Sequence, residues 1–153
     1  FGMQLGLIDT YDSVGYYGRG PEENYCDRKT GSLLGYYEAP IDGLIHDYHM
    51  PQENGNRSDC RFVEFTGENV PKVTIESGRN ETFEMSVWPW TQENLDAAKH
   101  INELELAGYS TVNIDCGQTG VGGDNSWTPK PRPMPQYRMD DEHYGYGFSI
   151  SWE

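Results

Sequence analysis

The chain has 153 residues, enough for one ordinary domain. Asp and Glu number 25 against 11 Lys and Arg, and the net charge of -14 repels nucleic acid and anionic lipid, leaving a neutral ligand or a protein as the expected partner. Hydrophobic residues are 35% of the chain and aromatics 13%, which argues against disorder, while no run of about 18 apolar residues is present to cross a membrane as a helix.

In chain order, Met3, Leu5 and Leu7 alternate with other residues and predict a first strand. Val14 to Tyr17 predicts a short second strand that stops at a Gly18-Arg19-Gly20-Pro21 turn. Leu33 to Tyr37 is apolar and aromatic. Arg61, Val63 and Phe65 alternate with Phe62 and Glu64, and Lys72 to Glu76 puts Val73 and Ile75 on one face. Phe83, Met85 and Val87 alternate with Glu84 and Ser86, as Val112, Ile114 and Cys116 do with Asn113 and Asp115. Glycine, proline and asparagine clusters separate these runs. One segment, TQENLDAAKHINEL, predicts a helix capped by Thr91, with Leu95, Ala98 and Asn102 or Ile101 at helical spacing, Gln92 and Glu93 at its positive end and Gly108 ending the region. Residues 117–136 have no period, and a stretch that long is expected to be a binding loop or lid, stiffened by TPKPRPMP (Thr128 to Pro135). The cleanest signal is the last: in YGYGFSISW, Tyr144, Tyr146, Phe148, Ile150 and Trp152 form one apolar face of a strand. The expected fold is an all-β sandwich of two sheets, with one short helix and long loops.

Most candidate chemical groups have an ordinary reading. Cys26, Cys60 and Cys116 cannot all pair, and none forms a CxxC, so buried or free thiols in a reducing setting are expected. Asn56-Arg57-Ser58 and Asn80-Glu81-Thr82 match the glycosylation sequon, a pattern that chance often supplies. His46 and His49 would face one way only on a helix, which Gly43 and Pro51 oppose, so they are expected in a loop. The Asp140-Asp141-Glu142 run reads as a solvated turn. Retaining glycoside hydrolysis needs two carboxylates about 5 Å apart, and with 25 acids sequence spacing selects no pair. The N-terminus, FGMQLGLIDTYD, has no basic region or long apolar stretch, so it does not read as a signal peptide, and it has no initiating Met, so a cut piece or mature product is expected.

The stretch VGGDNSW, Val121 to Trp127, is the most pointed. As a phosphate loop it lacks GK[ST] and carries Asp124, which repels phosphate. As a calcium loop it supplies Asp124, Asn125 and Ser126, too few oxygens without more from elsewhere, such as Asp115. As a sugar platform it offers an indole for the C–H face of a pyranose and polar neighbours for its hydroxyls. Equally, Trp127 reads as a core tryptophan beside a turn.

Three stretches in order resemble one family. Gly18-Arg19-Gly20-Pro21-Glu22-Glu23-Asn24-Tyr25-Cys26-Asp27-Arg28 resembles the GxGPxExYxDR segment near the C-terminus of family 2 β-galactosidases, with Cys26 where proline is more usual. Pro51-Gln52-Glu53-Asn54-Gly55-Asn56-Arg57 resembles their P-x-ENG-x-R, and Asn113-Ile114-Asp115 with Gly120 to Trp127 and Pro129 resembles their third signature. The resemblance covers nearly the whole chain. It implies that residues 1–153 are a C-terminal fragment of a galactose mutarotase-like β supersandwich whose early strands are missing. Uncovered sheet edges then invite self-association into a homo-oligomer.

The resemblance also implies how function is divided. The catalytic glutamates and the metal site lie in a barrel domain elsewhere, so no catalytic residue, metal ligand or cofactor is expected in this chain. Magnesium and a monovalent cation belong to the parent enzyme. The expected contribution is a sugar-binding wall from Trp127, with Asp124 and Asn125 beside it and Gly122, Gly123 and Ser126 shaping the loop. The implied partners are the remaining domains or a large subunit and a galactoside substrate, without nucleic acid or membrane, in the cytoplasm or periplasm. Glu22, Asp27, Arg28, Glu53, Asn54 and Arg57 are expected to form a loop-holding network rather than a catalytic one. A stand-alone carbohydrate-binding module and a mutarotase-like aldose epimerase are the alternatives.

Overall fold

A computed structural model describes residues 1–125, 127–128 and 131–153. The strands are β1 (Gly2–Ile8), β2 (Tyr11–Gly20), β3 (Leu33–Pro40), β4 (Arg57–Cys60), β5 (Phe62–Gly67), β6 (Val73–Ser77), β7 (Phe83–Trp88), β8 (Tyr109–Asp115) and β9 (Phe148–Trp152), with one helix, α1 (Gln92–Ala97), between β7 and β8. They form a four-stranded sheet ordered β1-β8-β7-β4 and a five-stranded sheet ordered β3-β2-β5-β6-β9, antiparallel throughout. The all-β sandwich expected from the alternating runs is therefore what forms. Its core joins Val14, Tyr16, Val63, Phe65 and Ile75 of the larger sheet to Phe83, Met85, Val87, Val112 and Ile114 of the smaller.

Each sheet places alternate side chains inside, as a pleated strand must. The smaller sheet is unusual in burying its outer face too. Glu84, Ser86, Thr111, Asn113 and Asp115 point away from the core yet are buried, because loops lie over them. The site described below occupies that polar covered face.

Four elements differ from expectation. β2 does not stop at Gly18 but runs on to Gly20. A Cβ on Gly18 would lie 2.6 Å from the Cys60 sulfur, so this glycine serves close packing of strands rather than a turn. β4 is a strand that its polar sequence, RSDC, does not announce. α1 covers only the start of the expected helix. Thr91 caps it, its hydroxyl accepting the Asn94 N–H at 3.0 Å, but Ala98 is already extended. The Glu103 carboxylate takes the Lys99 N–H at 2.8 Å, and the Asn94 amide takes the Glu105 N–H at 2.8 Å, folding the chain back into a 3-10 turn at Ile101–Glu103. Thr91→Ala is expected to cost about 1 kcal/mol of stability. Urea unfolding midpoints that match wild type would show that the cap holds nothing.

The fourth difference is at the C-terminus. The period is right for β9, but Tyr144 to Gly147 is irregular. Ile150 lies opposite buried Ile75, and Trp152 opposite Val73, so both face inward. They are nonetheless 39% and 71% exposed. β1 and β9 are edge strands on one flank, where the Phe1 and Tyr144 rings lie 5.9 Å apart and the Tyr146 hydroxyl donates to the Ile114 carbonyl at 2.7 Å. The sandwich is open along that flank.

Candidate functional site

The three family-like stretches, far apart in sequence, meet over the buried polar face of the smaller sheet. Asn24, fully buried, ties the first to the second. Its amide donates to the Arg19 and Glu22 carbonyls at 3.0 and 2.9 Å, and its side-chain oxygen accepts from both the N–H (3.0 Å) and the hydroxyl of Ser58. Its backbone N–H and carbonyl bond to Asn56, each at 2.8 Å. Glu23 adds a second clamp, accepting from the Gly55 N–H at 2.8 Å, from Arg28 at 2.7 Å and from the Tyr48 hydroxyl. Burial pushes the Glu23 carboxyl up, but these three donors outweigh it and hold it below the usual carboxylate value. Gly55 has φ +73°, and a Cβ there would lie 2.6 Å from the Leu44 carbonyl oxygen, so only glycine fits.

The third stretch is fastened to both. Asp27 accepts the Gly122 N–H at 2.7 Å, and its other oxygen is buried with no partner among the described residues. Gln118 donates one nitrogen to Glu53 at 2.9 Å and to Asp115 at 3.1 Å. Burial raises the Asp115 carboxyl. Two carboxylates thus share one amide nitrogen. Here the pair holds the base of the loop.

Beyond that base the loop presents its indole. The Asn125 side-chain oxygen accepts the Trp127 N–H at 3.0 Å and the Thr128 N–H at 2.9 Å, the self-capping that asparagine offers a turn. Asp124 accepts from the Asn125 amide at 2.8 Å, while the Asp124 N–H donates to the Arg132 carbonyl at 2.8 Å. A Cβ on Gly123 would lie 2.7 Å from Pro131, so the return strand of the loop packs against bare backbone. Gly122 presents its N–H to Asp27; Ser126, the other loop-shaping candidate, lies outside the described residues, as do Pro129 and Lys130. Trp127 is 92% exposed, so the core reading of this tryptophan does not hold. Two adjoining clefts, of about 510 and 420 Å³, meet at Glu53 and Val121. Gln4, Asn113 and Asp115 floor one, and Tyr25, Asp27 and Tyr48 line the other.

Among the residues expected to form the loop network, Asp27, Arg28, Glu53 and Asn54 take part, and Arg57 bonds to the Tyr16 hydroxyl and the Gly55 carbonyl at 3.2 and 2.7 Å. Glu22 is exposed and contributes only its carbonyl; Glu23 fills the role. Asn24, Asn56, Glu84 and Gln118 also carry the network without having stood out in the sequence. For Asn24 and Asn56 the one signal is the density of Asn and Gly beside Glu in two stretches that have no strand period; Glu84 lies on the polar side of an alternating strand and Gln118 in the aperiodic loop, where nothing singles them out. Asn56 is buried, which makes its sequon unusable in the folded chain. His46 and His49 lie in irregular chain, as expected, with the His46 ring 4.4 Å from that of Tyr48. All three cysteines are free, and Cys60 is buried. Among the described residues no group of three or more His, Cys, Asp or Glu side chains is placed to hold a metal ion.

Known proteins match this sequence. The β-galactosidase small-chain family profile matches residues 1–150. The chain is 36% identical over 132 residues to a β-galactosidase of Priestia megaterium, covering 86% of this chain and 13% of that protein. It is 35% identical over 149 residues to one of Vibrio cholerae, covering 97% of this chain and 14% of the relative. It is 31% identical over 150 residues to one of Leuconostoc mesenteroides, covering 98% and 14%. The chain therefore spans about one seventh of the length of these relatives. With the profile matched almost end to end and the three stretches converging on one face, the chain belongs to the β-galactosidase small-chain family.

Proposed function

We propose that this chain is the C-terminal β-sandwich part of a retaining β-galactosidase acting on terminal β-D-galactosides, and that it supplies Trp127 as one wall of the sugar site. The observation that carries this reading is an indole 92% exposed on a loop held by side-chain caps. Exposing so large an apolar surface on a braced loop is unfavourable without something to cover it. A galactose ring, apolar on its C–H face, suits an indole. Asp124 and Asn125 fix the turn that aims it. The catalytic glutamates, magnesium and a monovalent cation are assigned to the rest of the enzyme, and the isolated chain is inactive. The free thiols accord with a reducing, cytoplasmic setting.

The open flank supports the same division. Met3, Phe148, Ile150 and Trp152 turn toward the sandwich interior at an unfinished edge, a surface suited to further strands of the parent enzyme. In the enzyme carrying this chain, Trp127→Ala is expected to raise KM for lactose about tenfold, with a smaller change in kcat. A fall in kcat at unchanged KM opposes the stacking role. Lactose binding by the isolated chain that vanishes in Trp127→Ala favours a stand-alone binding module instead.

A further inference from the structure

We propose that the outer face of the five-stranded sheet is a binding surface for a neutral saccharide chain, built on Tyr36 and Gly15. On β2 the core takes Val14 and Tyr16, so Ser13, Gly15 and Tyr17 point outward. Tyr17 is in register with Tyr36 on β3 and Phe62 on β5, and Gly15 with Glu38 and Glu64. An aromatic row thus crosses three strands, with the Phe62 ring 6.1 Å from both tyrosine rings. A row of carboxylates lies beside it.

The geometry of Tyr36 is what marks a platform. Its hydroxyl donates to Glu38 at 2.9 Å, which draws the ring along the sheet and over Gly15. A Cβ on Gly15 would lie 2.5 Å from the phenol oxygen and 3.2 Å from Cζ. The ring therefore rests on bare backbone, and the side chain remains 48% exposed. An open cleft of about 510 Å³ runs beside it, lined by Ser13, Glu38, Pro40, Glu64 and Thr66. Lys72 holds Glu64 at 2.7 Å and so orients it. A flat, half-exposed ring takes the C–H face of a pyranose, and carboxylates and hydroxyls take its OH groups. The net charge of -14 disfavours a polyanionic glycan, and a narrow aromatic row with a carboxylate rim lacks the apolar centre of a protein interface.

The test is electrophoresis of the protein carrying this chain through gels containing soluble β-1,4-galactan, hydroxyethylcellulose or polygalacturonate. Retardation is expected in a neutral polymer and not in polygalacturonate. Tyr36→Ala should weaken it about fivefold, while Tyr36→Phe, which keeps the ring, should retain most of it. Gly15→Val, which lifts the ring off the sheet, should act like Tyr36→Ala. Hydrolysis of a small galactoside should be unchanged in Tyr36→Ala, and Trp127→Ala should leave retardation intact, so this surface and the Trp127 reading stand or fall separately. Wild type retarded by neither neutral polymer, or Tyr36→Ala retarded equally, overturns the proposal. So does a change in sedimentation of Tyr36→Ala without any glycan effect, which marks the face as a protein interface.

Discussion

Asn24→Ala is expected to lower the unfolding free energy by about 4 kcal/mol, from the penalty for several buried polar groups left without partners. The truncation removes two donors and an acceptor that takes two bonds, all at a fully buried position. The Arg19 and Glu22 carbonyls lose an amide, and the Ser58 N–H loses its acceptor where water has poor access. The effect reaches the site through the backbone. Asn24 holds the turn from which Glu23 reaches Gly55 and Asp27 reaches Gly122. Urea unfolding of the variant should therefore show a lower midpoint, and amide exchange should quicken at Gly55 and Gly122 together. A loss below about 1 kcal/mol, or faster exchange at Gly55 alone, would sink the view that one asparagine links the stretches. Asn24→Asp keeps the acceptors but loses the amide donors, and is expected to fall between.

How far such features were legible in the sequence depends on what makes them. Strands that bury one apolar face declared themselves: Met85 and Val87 on β7, Val112 and Ile114 on β8, and Val63 and Phe65 on β5 show the period of two that a pleat imposes. β4 did not, because Arg57 and Ser58 are buried by hydrogen bonds to Gly55, Tyr16 and Asn24, and only Cys60 reaches the apolar core. β9 gave the correct period but a misleading burial, since alternation reports which way a side chain points and not whether another layer covers it. The loop carrying Trp127 was legible from its glycines, prolines and lack of period. The clamp at its base was not, because Glu23, Asn24 and Gln118 act across separations of 32, 34 and 65 residues that leave no local pattern.

The same covered polar face predicts how stability depends on pH. Glu84 stands on β7 opposite Asp115 of β8, under the loops, and its carboxyl is pushed up to about 7. Burial is the main cause; the Asn56 amide at 2.7 Å and the Lys29 charge pull it down, while Asp115 and Asp59 raise it further. An unfolded chain releases this proton near the ordinary value of 4.5, whereas the folded chain keeps it to about 7. Between those values the native state binds more protons than the unfolded one, so stability falls as pH rises through the window. The accumulated loss above about pH 8 is about 3 kcal/mol. Glu84→Gln keeps an oxygen for Asn56 and carries no charge. It is expected to match wild type near pH 4 and to exceed it by up to about 3 kcal/mol near pH 8, read from urea unfolding across that range. Wild type and variant running parallel at every pH would mean that Glu84 is solvated and that the loops do not seal this face. A difference that builds between pH 4.5 and 7 and holds constant above ties the closure of the loop base to the protonation of one buried carboxyl.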